Sequence, residues 1–209
     1  MITIRATNVG NISRLSDGKM LNLQPILIFH GMDRRKLLNS ELHRLTVDEF
    51  RNTEKNGIVL ILDNVRSAHN VGSAFRTADA FLADEVALCG ICAVPPSPEI
   101  HKTALGAENS VLWKHFDRTE DAVAYYKERG YRIIAVEQTE NSVMLDDFAP
   151  SDKEKYAFIF GNEVKGVCQE AVDLSDFSVE IPQYGTKHSL NVSVSVGIVL
   201  WDFMEKRRS

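Results

Sequence analysis

The chain has 209 residues, of which 44% are apolar and 25% are charged, a composition typical of a globular protein with one main domain. It contains no run of the roughly 18 to 20 apolar residues that span a membrane and no secretory leader pattern, so we expect a cytoplasmic protein with no membrane partner. Three cysteines cannot all pair within one chain, which also favours a reducing compartment. The net charge of −5 by itself argues against binding to RNA or DNA.

The first part of the chain is the least informative. Residues 1–31 show no hydrophobic period, and they are either an appendage or an extended start of the gene. Over residues 33–55, one apolar stripe at helical spacing predicts a helical arm: Leu38, Leu42 and Leu45. We therefore predict an N-terminal segment with a helical arm over residues 1–56 and a main domain over residues 57–209.

The main domain alternates short apolar runs with helical patterns. The runs predict buried strands at 58–63, 85–89, 131–136, 156–160 and 177–181. Helices are predicted at 70–82 with Asn70 as N-cap, at 121–129 with Thr119 as N-cap, and at 169–174. Prolines predict a loop at Pro95, Pro96 and Pro98. Strands alternating with helices indicate an α/β fold with a mainly parallel sheet covered on both faces.

The segment CGIC, which contains Cys89 and Cys92, raises the question of redox chemistry. A reactive cysteine of that type sits at a helix N-terminus, where its pKa falls, but here the sequence AVPPSP follows. One such pair is also at best half of a zinc site. We predict structural cysteines, and no histidine spacing supports a metal site.

The segment GNEVKG follows the predicted strand at 156–160. It lacks the Lys-Ser/Thr pair of a nucleoside triphosphate loop, and no GxGxxG is present. What remains is a glycine-lined turn at the carboxyl end of a parallel strand, where open α/β sheets bind ligands. Because Glu163 would repel a phosphate, a ligand with a cationic or hydroxyl-bearing group is favoured.

Several basic residues have competing interpretations. Arg76 lies among small and apolar residues of the helix predicted at 70–82, and spacing alone does not separate a functional arginine from a surface one. The clusters at residues 34–36 and 206–208 are either contacts to phosphate or a solvated helix face and a frayed terminus.

The segment TKHSLNVSVSVGIVL alternates like a strand but is too long for one. Small residues at helical spacing, Ser189, Ser193 and Gly197, instead predict a helix from about 189 to 206. An adjoining apolar face consists of Val192, Val196, Val199 and Phe203. We expect this helix to be buried nearly all round, partly at a dimer interface.

Three segments together are specific. LDNVRSAHNVGSAFRTADAF, IFGNEVKGV and IPQYGTKHSLNVSVSVGIVLW resemble, in that order, the three motifs of the SpoU (TrmH-like) branch of the SPOUT RNA methyltransferases. The resemblance runs from about Ile58 to Trp201. It implies a mainly parallel α/β sheet with a C-terminal deep trefoil knot, a homodimer, and transfer of a methyl group from S-adenosyl-L-methionine to a ribose 2′-hydroxyl of tRNA or rRNA, with no role for DNA.

The resemblance also implies a set of site residues. Those assigned to cofactor binding are Gly161, Asn162, Ile181 and Leu190. Those assigned to the catalytic site are Asn70, Arg76, Glu163, Ser189 and Asn191. A guanidinium with a pKa above 12 is a poor base, so we expect Arg76 to stabilise the developing alkoxide, with the proton acceptor left open.

Two alternatives stand beside this interpretation. A knotted protein that has lost turnover would be an RNA-binding or assembly factor. The acidic charge favours instead a methyltransferase acting on a small molecule. An enzyme that acts on RNA would select its substrate through the helical arm, the proline loop and surfaces that two subunits combine in a dimer.

Overall fold

The structure, a computed structural model, describes residues 35–208. The chain separates into two compact units, of which the first ends at His43 and the second begins at Arg44. Of the first unit, residues 35–43 are described, and they contain a single 3₁₀ turn, Asn39–Glu41. Within residues 35–208, no helix is both long and apolar enough to cross a bilayer.

The second unit contains a seven-stranded sheet in which every pairing is parallel. The strands are β1 Ile58–Asp63, β2 Glu85–Cys89, β3 Leu112–Phe116, β4 Tyr131–Val136, β5 Val143–Met144, β6 Lys155–Phe160 and β7 Phe177–Glu180. Their order across the sheet is β3-β2-β1-β6-β4-β7-β5. The helices are α1 Val47–Asn52, α2 Ala68–Ala80, α3 Pro98–Ala104, α4 Ala107–Ser110, α5 Thr119–Lys127, α6 Gln169–Leu174 and α7 Val192–Arg208.

The central strand β1 is buried on both faces, as its unbroken apolar run predicts. Its alternate side chains enter two cores. On one face Leu60 joins a cluster with residues of α2 and α7, including Phe75 and Phe203. On the other face Ile61 packs with residues of α5 and α6. The mainly parallel α/β architecture predicted from the sequence is therefore confirmed.

The predicted bounds hold best for buried elements. The structure confirms β1, β2, β4 and α6 at the predicted residues, and β6 and β7 within one residue. The elements that the sequence did not predict are β3, β5, α3, α4 and a 3₁₀ turn at Leu145–Asp147. The proline loop is shorter than predicted, because Pro98 is already the first residue of α3 and Ser97 caps that helix.

The predicted helical arm over residues 33–55 is wrong. Its described part holds the 3₁₀ turn and the separate helix α1. His43 has a φ of 47°, which no helix interior adopts. Thr46 then starts α1 through a capping box with Glu49. Residues 33 and 34 of the predicted arm, the second of which also belongs to the basic cluster, lie outside the described residues.

Two predicted helix caps are also wrong. Ser67, not Asn70, caps α2, and its hydroxyl accepts the backbone N–H of Asn70 at 3.3 Å. Thr119 is the first residue of α5 rather than its cap, and its hydroxyl donates to Asp63 at 2.6 Å. Only in α2 does a neighbouring side chain cap the helix, because Arg118 at the N-cap position of α5 makes no side-chain cap hydrogen bond. Both predicted side chains instead make distant contacts.

Helix α7 begins at Val192, so the prediction of a helix from Ser189 is wrong by three residues and Ser189 lies before it. The predicted apolar face is buried: Val192, Val196, Val199 and Phe203. At its end, Arg207 donates to the backbone oxygens of Asn56 at 2.7 Å and Asp152 at 2.8 Å. The last described turn of α7 is therefore anchored at Arg207, rather than frayed.

The cysteines have the burial of structural residues. Cys89 and Cys92 are buried and unpaired. Burial raises the pKa of Cys92 to about 11, and its sulfur accepts the backbone N–H of Val65 at 3.1 Å. Burial likewise raises the pKa of Cys89. These environments agree with the predicted structural role, because a reactive cysteine needs a lowered pKa.

Candidate active site

A cavity of about 540 Å³ opens at the carboxyl ends of the neighbouring strands β6, β4 and β7. This is the edge at which open parallel sheets bind ligands. The cavity is lined by seven of the residues predicted to form the site: Gly161, Asn162, Glu163, Ile181, Ser189, Leu190 and Asn191. The fold therefore brings the second and third sequence motifs together around one space.

The wall after β6 is a tight turn over residues 161–168, which we call the glycine loop. Asn162 and Gly166 exchange two backbone hydrogen bonds of 2.9 Å, which close the loop on itself. A Cβ at Gly161 would lie 2.0 Å from the carbonyl carbon of Gly166, so this close approach requires glycine. Asn162 donates to the Asn64 backbone oxygen at 2.7 Å and accepts from Val164 N at 2.9 Å.

Glu163 points out of the glycine loop toward the start of α2. Its Oε1 accepts from Asn70 Nδ2 at 2.9 Å and from Ser67 N at 3.2 Å, and its Oε2 accepts from Arg66 N at 3.2 Å. Partial burial alone would raise the pKa of this carboxyl, but these hydrogen bonds outweigh that effect and hold the pKa below its ordinary value. Glu163 is therefore a stable carboxylate at neutral pH.

Asn70 also meets the third motif. Its Oδ1 accepts from Asn191 Nδ2 at 3.3 Å. The Oδ1 of Asn191 in turn accepts from the backbone N–H of Ser193 at 2.9 Å, at the start of α7. One chain of side chains thus links Glu163, Asn70 and Asn191, and with them all three sequence motifs.

The remaining cavity residues differ in exposure. Ile181 is partly buried and packs against the core, whereas Leu190 is 39% exposed and lines the cavity. Ser189 is exposed, and within residues 35–208 its hydroxyl makes no hydrogen bond. The cavity is thus lined by an exposed hydroxyl at Ser189 and, at the next residue, by the apolar side chain of Leu190.

Arg76 is the one predicted site residue that the structure does not join to the others. It lies on the exposed face of α2 and does not line the cavity. Among residues 35–208, its guanidinium has no hydrogen-bond or ion-pair partner. It is therefore available to an external ligand, and no side-chain hydrogen bond or ion pair among the described residues fixes its distance from the cavity.

Sequence reasoning missed Glu137, which directly follows β4 and lines the cavity. Its Oε2 accepts from Val167 N at 2.9 Å and would lie 2.1 Å from a Cβ at Gly166. An acidic residue immediately after a buried strand is a signal that could have found it, because that position faces the ligand edge of a parallel sheet. Among the described residues, no cluster of His, Cys, Asp and Glu is arranged to hold a metal ion.

Comparison with known proteins adds the family. The profile of the SpoU rRNA Methylase family matches residues 57–201, which is most of the chain. The chain belongs to this family. The match begins at Gly57, directly before β1, and ends within α7. The resemblance recognised in the three sequence motifs is therefore confirmed.

Relatives of this SpoU family member include RNA-modifying enzymes. A tRNA (guanosine(18)-2′-O)-methyltransferase of Thermus thermophilus is 30% identical over 172 residues, which covers 80% of this chain and 84% of that protein. A solved A. aeolicus TrmH/SpoU tRNA modifying enzyme superposes with a TM-score of 0.68 at 25% identity, over 78% of this chain and 82% of the other. An AdoMet-bound rRNA methyltransferase from Sinorhizobium meliloti has a TM-score of 0.67 at 26% identity, over 75% of this chain and 59% of the other.

Proposed function

We propose that this SpoU family member transfers a methyl group from S-adenosyl-L-methionine to a ribose 2′-hydroxyl of a tRNA or an rRNA. The observation that carries the proposal is the link between Glu163, Asn70 and Asn191, which joins all three motifs beside one cavity. The named relatives act on both classes of RNA, so the class of substrate rests on family membership and the individual RNA is left unnamed.

The cavity suits the cofactor in size and chemistry. A volume of about 540 Å³ lies within the roughly 300 to 1,000 Å³ of small-molecule sites. We propose that Gly161, Ile181 and Leu190 hold the cofactor through backbone groups and apolar contact, and that Asn162 maintains the loop around it. Glycine at position 161 fits this role, since its backbone packs closely against Gly166 and Val167 and lines the cavity.

When bound, S-adenosylmethionine supplies a methyl group on a sulfonium whose departure leaves a neutral thioether. No residue then has to protonate a leaving group, and the difficulty lies in aligning and activating a weakly acidic hydroxyl. We propose that Ser189 and Asn191 hydrogen-bond the ribose and that Glu163 and Asn70 fix the loops around it. Arg76 stabilises the negative charge that develops on the attacking oxygen.

We further propose the homodimer and the knot that the family resemblance implies. The exposed side of α7 and the segment after β7 form a groove whose apolar residues include Ile181, Pro182, Val194, Ile198 and Trp201. Trp201 is 58% exposed and Val194 is 49% exposed, although both are large apolar residues. A second copy on this groove would bury both. Because Ile181 lines the groove and the cavity alike, the dimer would form next to the site.

The remaining assignments follow from the same reaction. We propose that residues 57–209 form the methyltransferase domain and that residues 1–56 contribute to substrate selection. A cytoplasmic location suits an enzyme with RNA substrates and with free cysteines. Because the net charge is −5, we expect RNA affinity that is modest and falls steeply as salt increases.

The test supplies the purified protein with methyl-labelled S-adenosylmethionine and total cellular RNA, then digests the RNA with alkali. We expect label in alkali-resistant dinucleotides, because a 2′-O-methyl group blocks cleavage. RNA binding without label would instead indicate a non-catalytic factor, and label in small molecules alone would indicate another substrate class. Either result would overturn the proposal.

A further inference from the structure

The last residue of β1, Asp63, is a buried carboxylate that the proposed reaction does not use. It is 1% exposed and does not line the cavity. Its Oδ1 accepts from Thr119 Oγ1 at 2.6 Å and from Asn64 Nδ2 at 2.8 Å, and its Oδ2 accepts from Cys168 N at 2.7 Å. Within residues 35–208, it has no cationic partner. A buried carboxylate of this kind is tolerated only where its oxygens are hydrogen-bonded.

The surroundings of Asp63 are the starts of two helices. Thr119 is the first residue of α5, and Cys168 directly precedes α6. Helix N-termini carry a partial positive charge from their free N–H groups, which favours a nearby carboxylate. The carboxyl group of Asp63 therefore receives only neutral donors from these helix starts, and these hydrogen bonds hold α5 and α6 against the end of β1.

The same end of β1 holds both ends of the glycine loop. The backbone oxygen of Asn64 accepts from Asn162 Nδ2 at 2.7 Å, at the start of the loop. Asp63 accepts the backbone N–H of Cys168, its last residue, from 105 positions away in the chain. Between these two points the loop forms the cavity wall. A shift at Cys168 would therefore move the residues that face the cavity.

We propose that Asp63 is a positioning residue that fixes the glycine loop and thereby sets the affinity for S-adenosylmethionine without touching it. The inference rests on the proposed function, because it takes the cavity as the cofactor site. It predicts a weakened affinity for the cofactor with a nearly unchanged rate at saturation, since Asn191, which is proposed to bind the ribose, is held by Asn70 and not by Asp63.

The test compares Asp63→Ala with Thr119→Val in the full-length protein. Thr119→Val removes the α5 partner of the same carboxylate and keeps its bond to Cys168, so it controls for general loss of stability. By calorimetric titration with S-adenosylmethionine, we expect Asp63→Ala to raise Kd by about tenfold and Thr119→Val to leave Kd within about twofold. We expect kcat at saturating cofactor and RNA to stay within about threefold in both variants.

A second measurement makes the result independent of catalysis. Hydrogen exchange at residues 161–168 should speed up in Asp63→Ala and not in Thr119→Val, because only the first variant leaves Cys168 N without its acceptor. If Asp63→Ala does not fold, Asp63→Asn offers one acceptor oxygen to three donors and should show a smaller rise in Kd, roughly threefold.

Equal Kd values and equal exchange in the Asp63 and Thr119 variants would overturn the proposal. So would a fall in kcat with an unchanged Kd, since that would place Asp63 in the chemical step. If the wild-type protein does not bind S-adenosylmethionine, it is the proposed function that fails, and the exchange rates still decide whether Asp63 holds the loop.

Discussion

Asn70 donates a side-chain hydrogen bond of 2.9 Å to Glu163 across 93 positions of the chain. The carboxylate also accepts two backbone N–H groups, so its oxygens are occupied by donors of α2 and the turn before it. The pKa of Glu163 is held below the ordinary glutamate value, which makes it a weak base at neutral pH. We therefore propose that Glu163 orders the site and is not the acceptor of the proton of the ribose 2′-hydroxyl.

The lowered pKa of Glu163 has a consequence for stability. Its contribution is fully present above the unfolded-state pKa, near 4.5, and is lost as the pH falls through the lower folded-state pKa. At pH 7, Glu163→Gln should lower the free energy of unfolding by at most about 1 kcal/mol, since the group is partly exposed and screened. Urea unfolding from pH 7 to pH 3 should show the gap between variant and wild type closing at the acid end. A difference in unfolding free energy that stays constant with pH would contradict the lowered pKa of Glu163. As a control, Glu128→Gln, at an exposed carboxylate, should unfold with the same free energy as the wild type.

Arg76 should be sensitive to the shape of its side chain as well as to its charge. A guanidinium presents several donors in a fixed plane, whereas an ammonium is a point charge. We expect Arg76→Lys to lower kcat by about a hundredfold and to leave the Kd for RNA within about threefold. Methyl transfer and filter binding on the same RNA measure the two effects.

The matched control for Arg76 is Arg129→Lys, at an exposed arginine that stacks on Tyr125. It should leave kcat unchanged. If Arg76→Lys retained most of the wild-type rate, the role of a fixed planar donor would be wrong.

Gly161 and Gly185 provide a comparison of close packing with open space. A Cβ at Gly161 would lie 2.1 Å from Val167 N, whereas a Cβ at Gly185 would meet no atom within 4 Å. Gly161→Ala should displace the glycine loop and weaken the binding of S-adenosylmethionine by at least about tenfold, because something in the backbone must shift. Calorimetric titration of both variants measures this. Equal affinities in the two variants would show that the loop does not form the cofactor site.

The elements that could be predicted from the sequence are those whose burial is evident from a local pattern of apolar residues. Strand β1 is a six-residue apolar run between Gly57 and Asn64, and its bounds were predicted without error. Strand β3 lies at the sheet edge with four of its five residues exposed, so its sequence, LWKHF, contains no apolar run to detect. The prediction of one helix over 33–55 fails for the opposite reason. Its leucines have helical spacing, but the backbone conformation at His43 is not helical.

The site was accessible to sequence reasoning only in part. Family resemblance supplied the residues, and the structure gathers seven of them around the cavity. Family resemblance could not supply the hydrogen bond between Asn70 and Glu163, since contacts 93 positions apart depend on the order of strands in the sheet. The local rules for helix capping instead predict that the Asn70 side chain caps α2. In the structure Ser67 caps that helix.

The proposed dimer can be tested at Trp201. This side chain is 58% exposed on α7 and borders the apolar groove. If a second copy covers the groove, a carboxylate there would be buried without a partner, at a cost that a dimer does not tolerate. We expect the wild type to have twice the chain mass of 23.5 kDa by light scattering, and Trp201→Glu to have the mass of one chain. Leu112→Glu, at the edge strand β3 and 61% exposed, should leave the mass unchanged. A wild-type protein of single-chain mass, or a Trp201→Glu protein of dimer mass, would contradict the proposed interface.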